Sequence, residues 1–584
     1  MNKYYLATTG ISNIWDFDKE LLLLGPWCVT NNENKELLRK KSYKVISSPF
    51  KPGIKIKEAD DYCYDIYVEL LPKISESLNG LHNVSYTQRY WQILLGYWLM
   101  FFIEIVYDRY KRIEHAFDIF PDIYTHVIPY KQSDLATVDT YDALSLNGKI
   151  NNDYYNLTLF SLIAHYLHPD KTVKINYKNN QIVKNKGENI KRRLWRLFIN
   201  CLGFFNHQSI FCDMSHLHPF DLVLLKLRVG ANKIGFRDFN VQDVLSYNNF
   251  STNTREVIKL EQADDKFRGL LYKILPFAIP MCYVENYPSY KDKVGSTKNV
   301  LAVGSTGGWY FNEGFKFFAA LSASNGAKLL DFQHGGGYGV GLSVPHEKTC
   351  LEKDIFFTWG WKDKNNKTDP LPVPYLSKIK DEYYYNLNKP IFVSTSMPKY
   401  QYKLESCMQP EDMFSYVSNM KIFFKSLSNE IIKSMLFRPN FEGGWNITDT
   451  IKKEYPNISI VTIGKLIDLM KKVKLVIIDH AHTSFLEALV INVPTILYWD
   501  HDIFLMRPEA EEYFELLRNV GILYKDPVSA AKKVNEIYND PQTWWNQLEI
   551  QNARNKFCQK FALTSKNWLD EWKRALENTI IGAN

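Results

Sequence analysis

A histidine two positions after the end of an apolar run is well placed in this chain for acid–base chemistry. The run Lys328 to Phe332 reads as a short buried strand, and Gln333, His334 and three glycines follow it (Gly335, Gly336 and Gly337). Glycine has no Cβ, so a ligand or an opposing backbone can come close to such a loop. Imidazole accepts a proton near neutral pH. The pattern predicts a ligand-binding strand end that includes His334; a glycine-rich turn with a surface histidine is the alternative.

A second group of polar residues follows the apolar run 474–479. His482, Thr483 and Ser484 are predicted to begin a helix over 483–491. The N–H groups and the positive dipole end at a helix start favour an anion, most often a phosphate. Thr483 or Ser484 is also expected to cap this helix. Glu487 lies one turn further on and is expected to accept hydrogen bonds from ribose hydroxyls, or to be an ordinary surface carboxylate.

Two further predicted strands end in polar residues. Ser394, Thr395 and Ser396 close the run 390–394, and Arg438 and Asn440 close the run 434–438. An arginine there can hold a phosphate through two parallel hydrogen bonds, or it can form a structural ion pair. Together these patterns predict one group of ligand-binding residues: Ser394, Thr395, Ser396, Arg438, Asn440, His482, Thr483, Ser484 and Glu487.

Two D-x-D pairs are the candidate metal ligands. Asp16 and Asp18 lie in a short aromatic connection, and Asp500 and Asp502 follow a predicted strand. Neither pair has a cysteine or glutamate cluster beside it, and a bare D-x-D is common by chance. The sequence therefore predicts no metal site and no cofactor.

Composition limits the class of protein. The 584 residues, 46% hydrophobic and 23% charged, are enough for two or more globular domains. A net charge of +7 from 71 basic and 64 acidic residues is too small for a dedicated nucleic-acid binder. The eight cysteines form no C-x-x-C pair, which favours reduced thiols and a cytoplasmic location.

Contact with a membrane surface is a further expectation. The start of the chain has no signal-peptide pattern. The apolar run 93–106 is too short to cross a bilayer and is predicted to be a buried helix. The basic stretch 171–196 is either a solvated face or a patch for anionic lipid head groups or a charged glycan.

The alternation of strand-like and helix-like runs predicts an α/β fold. In the second half, strands are expected at 390–394, 434–438, 458–462, 474–479, 494–499 and 521–524. Helices are expected there at 411–430, 464–472, 483–491, 508–518 and 527–539. Such regularity is typical of doubly wound parallel sheets. We expect a Rossmann-like domain with helical insertions over 1–360, a linker over 361–389 and a second Rossmann-like domain over 390–584, with a cleft between the two.

Several motifs resemble a family of transferases of bacterial surface-carbohydrate gene clusters. The residues that carry the resemblance are Leu6-Ala7-Thr8-Thr9, Leu22-Leu23-Leu24-Gly25-Pro26-Trp27-Cys28, Arg89-Tyr90-Trp91, Gly96-Tyr97-Trp98-Leu99 and Gln333-His334-Gly335-Gly336-Gly337-Tyr338-Gly339. These matches lie between residues 6 and 339. The second half follows the same family's sugar-nucleotide-binding pattern.

A more distant similarity points to glycosyltransferases of the GT-B fold. His334-Gly335 after a strand, Arg438-Pro439 and the helix over 483–489 are similar to motifs of two GT-B groups. One group uses CMP-activated 2-keto sugars (Kdo and nonulosonic acids), and the other comprises the CDP-glycerol and ribitol polymerases. In the polymerases a Trp-His-Gly histidine is taken as the base, whereas Gln333 replaces the tryptophan here; the acidic motif of sialyltransferases is not evident.

The resemblance implies a metal-independent glycosyltransferase in which His334 is the general base and the group of ligand-binding residues described above binds the sugar-nucleotide donor. The expected partners are a CMP-activated 2-keto sugar, mostly on the second domain, and a glycan or lipid-linked glycan acceptor, mostly on the first. A polyol-phosphate transferase, a sugar-nucleotide epimerase and a non-catalytic glycan-binding protein remain the alternatives.

Overall fold

A computed structural model describes residues 3–177, 210–213, 217–230, 233–236, 239, 250–260, 263–295, 297–440 and 443–581. Their strands form three parallel sheets. Most of the basic stretch 171–196 lies outside the described residues.

The first sheet lies near the N-terminus and has five strands in the order β3-β2-β1-β4-β5. Its strands are β1 (Tyr4–Ala7), β2 (Glu20–Leu23), β3 (Tyr43–Val45), β4 (Ile123–Val127) and β5 (Thr172–Lys174). The helices of this part are α1 (Asn32–Leu38), α2 (Ile54–His82), α3 (Gln88–Ile119), α4 (Thr140–Leu144) and α5 (Asp153–Leu167).

Helix α3 contains the apolar run 93–106. In length and composition it could cross a membrane, but 89% of its most apolar 18-residue window is buried inside the protein. It packs against α2 and α5, so burial in the core accounts for its apolar surface.

The second sheet has six strands in the order β11-β10-β9-β8-β6-β7. They are β6 (Ile210–Asp213), β7 (Ile234–Phe236), β8 (Ala302–Ser305), β9 (Lys328–Phe332), β10 (Ile355–Thr358) and β11 (Thr368–Pro370). The helices between them are α6 (Pro219–Val229), α7 (Thr252–Arg255), α8 (Lys266–Ala278), α9 (Tyr287–Asp292), α10 (Gly308–Phe311), α11 (Glu313–Ser324), α12 (Pro345–Leu351) and α13 (Pro374–Ile379).

The third sheet also has six strands, in the order β14-β13-β12-β15-β16-β17. They are β12 (Leu387–Val393), β13 (Leu436–Arg438), β14 (Ser459–Ile460), β15 (Val473–Ile478), β16 (Thr495–Tyr498) and β17 (Leu523–Tyr524). Its helices are α14 (Met413–Lys425), α15 (Asn429–Ser434), α16 (Ile447–Glu454), α17 (Leu466–Met470), α18 (Thr483–Ile491), α19 (Pro508–Asn519), α20 (Pro527–Ile537), α21 (Pro541–Trp545), α22 (Leu548–Phe561) and α23 (Trp568–Ile581).

The expected α/β class with parallel sheets is confirmed, but two details of the organisation differ. Residues 1–360 hold the first sheet and five of the six strands of the second instead of a single sheet, because β1–β5 pair with one another and β6–β10 pair separately. The segment 361–389 is not a plain linker either. It supplies β11 and α13, and its Val373, Leu376 and Ile379 are buried in the core of the third sheet.

Candidate active site

The third sheet has the Rossmann strand order, and its strand order reverses between β12 and β15. Ligands of open α/β sheets bind outside the carboxyl ends of the strands at such a point. Thr395 follows β12 and His482 follows β15, and Thr395 Oγ1 lies 3.1 Å from His482 Nδ1. Asn440, after β13, donates from Nδ2 to Thr395 Oγ1 over 3.4 Å. Three of the predicted donor-binding residues therefore meet at the expected position on the sheet.

A cavity of about 540 Å³ opens above these residues, and we call it the His482 cavity. Thr395, Ser396, Asn440 and His482 line it from the third sheet, and α4 with the residues after it lines the opposite side. Burial lowers the pKa of His482 to about 4, so its imidazole is neutral at physiological pH.

Ser394 and Arg438 do not line the His482 cavity. The backbone N–H of Ser394 donates to the Arg438 carbonyl over 3.1 Å. The Arg438 guanidinium donates to the carbonyls of Val461, Ile463 and Gly464 at 3.2, 3.2 and 2.8 Å. The Arg438 side chain therefore forms hydrogen bonds with the backbone carbonyls of a loop. This differs both from the predicted phosphate contact and from the predicted ion pair.

The predicted helix over 483–491 is α18, but its cap differs from the expectation. His482 is the N-cap residue and makes no side-chain capping bond, so neither Thr483 nor Ser484 caps the helix. The Ser484 hydroxyl lies 3.5 Å from His480 Nε2. Thr483 instead contacts the glycine loop of the second sheet.

The glycine loop, residues 333–337, is held by Gln333. Its Oε1 accepts hydrogen bonds from the Trp359 backbone and the Trp361 indole, both at 2.8 Å. Its Nε2 donates to the Gly335 carbonyl over 2.7 Å. Gln333 therefore fixes the loop that carries His334, a role that a tryptophan at this position could not perform.

Gly336 brings the second and third sheets into contact. Its backbone N–H donates to Thr483 Oγ1 over 3.0 Å. A Cβ on Gly336 would lie 2.8 Å from Leu486 Cδ1 and 3.2 Å from Thr483 Cα. The close approach expected of the glycines is thus made with the start of α18, whereas Gly335 and Gly337 have ordinary room for a side chain.

His334 is half-buried and lies among tyrosines. Its Nδ1 is 3.2 Å from the Tyr338 hydroxyl and 3.4 Å from the Tyr310 hydroxyl, and these two hydroxyls are 3.3 Å apart. Burial raises the pKa values of both tyrosines well above the ordinary value, so both stay protonated. A Tyr oxygen that accepts from Nδ1–H leaves Nε2 as the nitrogen that takes up a proton.

A second cavity of about 300 Å³ is lined by His334 and Gln333 from the second sheet and by Thr483 and Glu487 from α18. We call it the His334 cavity. The remaining lining is mostly apolar and includes Trp359 and Trp572. Burial raises the pKa of Glu487 to about 7, and the Tyr375 hydroxyl partly offsets this. Six of the nine predicted donor-binding residues therefore line the two cavities, four in the His482 cavity and two in the His334 cavity, whereas Ser394, Arg438 and Ser484 line neither.

The D-x-D pairs make local contacts. Asp16 accepts from the Asp18 backbone at 2.9 Å and from the Tyr124 hydroxyl. Asp500 accepts from the Asp502 backbone at 2.9 Å. Within the part of the chain that the structure describes, no three His, Cys, Asp or Glu side chains cluster as metal ligands would.

Two charged residues of the His482 cavity were missed from the sequence. Lys403 and Glu405 line it and form an ion pair. They lie on the segment 394–412, which has few apolar residues in a regular spacing and gave no pattern to interpret. Glu405 Oε1 would lie 3.9 Å from a Cβ on Gly337, so this pair also reaches the glycine loop.

Comparison with known proteins identified one matching family and several solved structures with low similarity. The family model described as LIC12162 family transferase matches residues 4–576. No curated protein sequence matches the chain. MurG from Acinetobacter baumannii covers 64% of this chain with 99% of its own, at 10% identity and a TM-score of 0.31.

Two more solved structures align over a similar extent. A Listeria monocytogenes protein provisionally described as a UDP-N-acetylglucosamine 2-epimerase covers 62% of this chain with 94% of its own, at 11% identity and a TM-score of 0.31. The glycosyltransferase SsfS6 from Streptomyces sp. SF2575 covers 64% with all of its own chain, at 10% identity and a TM-score of 0.29. Overlaps at this level carry no information about the reaction.

Proposed function

The chain belongs to the LIC12162 family of transferases, and from this premise we propose that it is a GT-B glycosyltransferase. The observation that supports the proposal is the meeting of three strand-end loops: residues 333–337, 394–405 and 482–484. Each follows a parallel strand, and the Gly336–Thr483 hydrogen bond joins two of them. The arrangement provides a place for a nucleotide at the third sheet and a proton acceptor opposite it.

The donor nucleotide occupies the His482 cavity in this proposal. Thr395, Ser396 and Asn440 supply hydroxyl and amide donors, and about 540 Å³ is room enough for a nucleotide sugar or most of one. The N–H groups at the start of α18 add partial positive charge for the leaving phosphate. We propose a CMP-activated 2-keto sugar such as Kdo or a nonulosonic acid as the donor, on the resemblance described above.

The acceptor hydroxyl enters from the His334 cavity. His334 accepts its proton as the oxygen attacks the anomeric carbon, and the bond from that carbon to the phosphate oxygen breaks. Tyr310 and Tyr338 contact the imidazole at Nδ1, and we propose that Nε2 accepts the proton. The mostly apolar lining suits a sugar ring or a lipid-linked glycan, and Glu487 is placed to accept a hydrogen bond from a substrate hydroxyl. Reaction in the cytoplasm, at the inner membrane face, would suit such an acceptor.

Ligand-induced stabilisation tests the proposal. A nucleotide that binds only the folded protein raises its unfolding temperature. We expect CMP to raise it more than CDP, UDP or GDP, and CMP-sugar to be consumed only when an acceptor glycan is present. Consumption of CDP-glycerol instead would indicate a polyol-phosphate transferase. Conversion of a nucleotide sugar without acceptor would indicate an epimerase, and glycan binding with no nucleotide effect would indicate a non-catalytic protein.

Metal independence belongs to the same proposal. In this proposal the N–H groups at the start of α18 stabilise the leaving phosphate, so activity should survive EDTA. An EDTA-treated protein that is inactive and regains activity only with Mg²⁺ or Mn²⁺ would contradict it.

A further inference from the structure

The segment that follows β12 brings a fixed positive charge into the His482 cavity. Among the described residues that line this cavity, Lys403 is the one with a permanent positive charge. Its side chain is 18% exposed and pairs with Glu405, which is 15% exposed. Burial alone would lower the pKa of Lys403, but the Glu405 carboxylate raises it above the ordinary value, so the ammonium stays charged.

The backbone around Lys403 is held by helix α3 and by the loop before α12. Leu404 N–H donates to Glu104 Oε2 over 2.5 Å, and the Gln401 carbonyl accepts from the buried Arg109 guanidinium. Ser406 N–H donates to the Ser343 carbonyl over 3.0 Å. The ammonium is therefore carried by a backbone that is fixed on both sides, so a ligand that binds it need not order the segment first.

The surroundings of the Lys403–Glu405 pair suit an anion. A half-buried ion pair contributes little to stability, because desolvation offsets the attraction. Here the pair faces a cavity that also holds the hydroxyls of Thr395 and Ser396 and the amide of Asn440. Arg438, the cation expected for this role, is engaged by three loop carbonyls.

We infer that Lys403 binds the phosphate group of the donor, and that Glu405 holds the ammonium in position when no phosphate is bound. The inference rests on the proposed function for the identity of the donor, but the anion site itself does not. A phosphate between Lys403 and Asn440 would be repelled by Glu405, so Glu405 also limits how tightly the product nucleotide is held.

Lys399 is a matched control on the same segment. Its side chain is likewise 18% exposed and pairs with a carboxylate, Asp153, at 2.8 Å. It does not line the His482 cavity. Substitution at Lys399 therefore removes the same kind of charge from the same segment without touching the anion site.

Calorimetric titration with inorganic pyrophosphate and with CMP tests the inference, with cytidine as a probe that lacks phosphate. We expect Lys403→Met to weaken pyrophosphate and CMP binding by about 10–100-fold and to leave cytidine binding unchanged. Lys399→Met should change none of the three. Glu405→Gln should tighten pyrophosphate and CMP binding, the opposite sign to Lys403→Met, and Lys403→Arg should retain most of the affinity.

The double variant Lys403→Met/Glu405→Gln removes both charges of the pair and leaves no unpaired carboxylate. It therefore allows the test even if Lys403→Met alone fails to fold. Compared with Glu405→Gln, it differs only in the lysine, and it should bind pyrophosphate about 10–100-fold more weakly. Pyrophosphate affinity equal in these two variants would overturn the inference, and so would a wild-type protein that binds no pyrophosphate. Loss of pyrophosphate binding in Lys403→Met with no CMP binding in the wild type would support the anion site and contradict the proposed donor.

Discussion

At the scale of single residues, the site depends on which side chains are held by others. His334 touches two tyrosine hydroxyls through Nδ1, and both tyrosines are nearly fully buried. Arg438 is held by carbonyls, whereas Lys403 faces a cavity. The type and sequence position of a residue are thus not enough to identify it as a ligand-binding residue, because the neighbouring groups determine whether its charge is available to a ligand.

His334→Ala should lower turnover by about 10²–10⁴-fold, the usual loss for a general base, because it removes the imidazole that Tyr310 and Tyr338 contact at Nδ1. Nucleotide affinity should stay near that of the wild type, since the His482 cavity is lined by other residues. Initial rates and calorimetry on the same preparations check both statements. His165→Ala, which changes an exposed histidine on α5, serves as the control; a His334→Ala protein with near-normal rate would eliminate His334 as the base.

Glu487 gives stability a specific dependence on pH. Burial raises its pKa from 4.5 to about 7, so the unfolded state releases the proton first as pH rises. The free energy of unfolding therefore falls as the pH rises from 4.5 to about 7. Above that range it is lower by the full free-energy cost of keeping the ionised carboxylate buried. Glu487→Gln keeps an acceptor for Tyr375 but removes the charge. We expect it to stabilise the protein by about 1–3 kcal/mol at about pH 8 and by little at about pH 5.

Thermal unfolding of wild type and Glu487→Gln at both pH values measures this difference. Asp331 and Asp139 also have pKa values raised to about 7 by burial, but they are present in both proteins and cancel in the comparison. An equal difference in unfolding temperature at the two pH values would show that the carboxyl is solvated in solution.

At the scale of elements, the important feature is the close approach of the glycine loop to the start of α18. Gly336→Ala would place a methyl group 2.8 Å from Leu486 Cδ1 and 3.2 Å from Thr483 Cα, both in a packed region. We expect a loss of stability of about 1–3 kcal/mol, as for other overpacked sites, and a larger loss of activity because the loop carrying His334 must move.

Gly335→Ala and Gly337→Ala are the matched controls. A methyl group there would meet its nearest neighbours at 3.6 Å and 3.9 Å, which are ordinary contacts. Unfolding temperature and turnover of the three variants should separate Gly336 from the other two. Equal effects at all three positions would mean that loop flexibility, not the approach to α18, is what matters.

The elements of the third sheet could be predicted from sequence because their signals are local. The expected helix over 483–491 is found at Thr483–Ile491, and the expected strands 434–438 and 494–499 are found at Leu436–Arg438 and Thr495–Tyr498. Each is a short apolar run or an amphipathic stretch bounded by turn residues, and such runs need no knowledge of distant contacts.

The contacts within the site could not be predicted in the same way. The carbonyls that hold Arg438 come from residues 461–464, and the groups that fix the Lys403 segment come from α3, about 300 positions earlier in the chain. The first sheet was missed as a separate unit for a related reason. Its strand β4 pairs with β1 across the 115 residues 8–122, and a local sequence pattern does not indicate which strand is the partner.

At the scale of the whole molecule, the three sheets share their cores. The core of the third sheet includes Phe356, Trp361 and Leu376, which precede β12. The last helix, α23, crosses back to the second sheet, where the Trp572 ring stacks on Phe332 with centroids 5.1 Å apart. Its Trp572 indole also donates to the Pro372 carbonyl over 2.7 Å. The three sheets are thus joined by shared core contacts.

This sharing predicts how the protein responds to division at the expected domain boundary. Residues 390–584 expressed alone would lack Phe356, Trp361 and Leu376 from their core and would expose Trp572 on α23. The segment around Lys403 would also lose Arg109, which in the full chain pairs with Asp108 and holds the Gln401 carbonyl. We therefore expect the fragment to bind a hydrophobic dye and to unfold without a cooperative transition.

Joint expression with residues 1–389 should restore both the core and the cooperative transition, because every missing partner lies in that half. Calorimetry of the fragment, the reassembled pair and the intact protein compares the three directly; a fragment that unfolds cooperatively and binds the nucleotide alone would show that the third sheet is an independent domain.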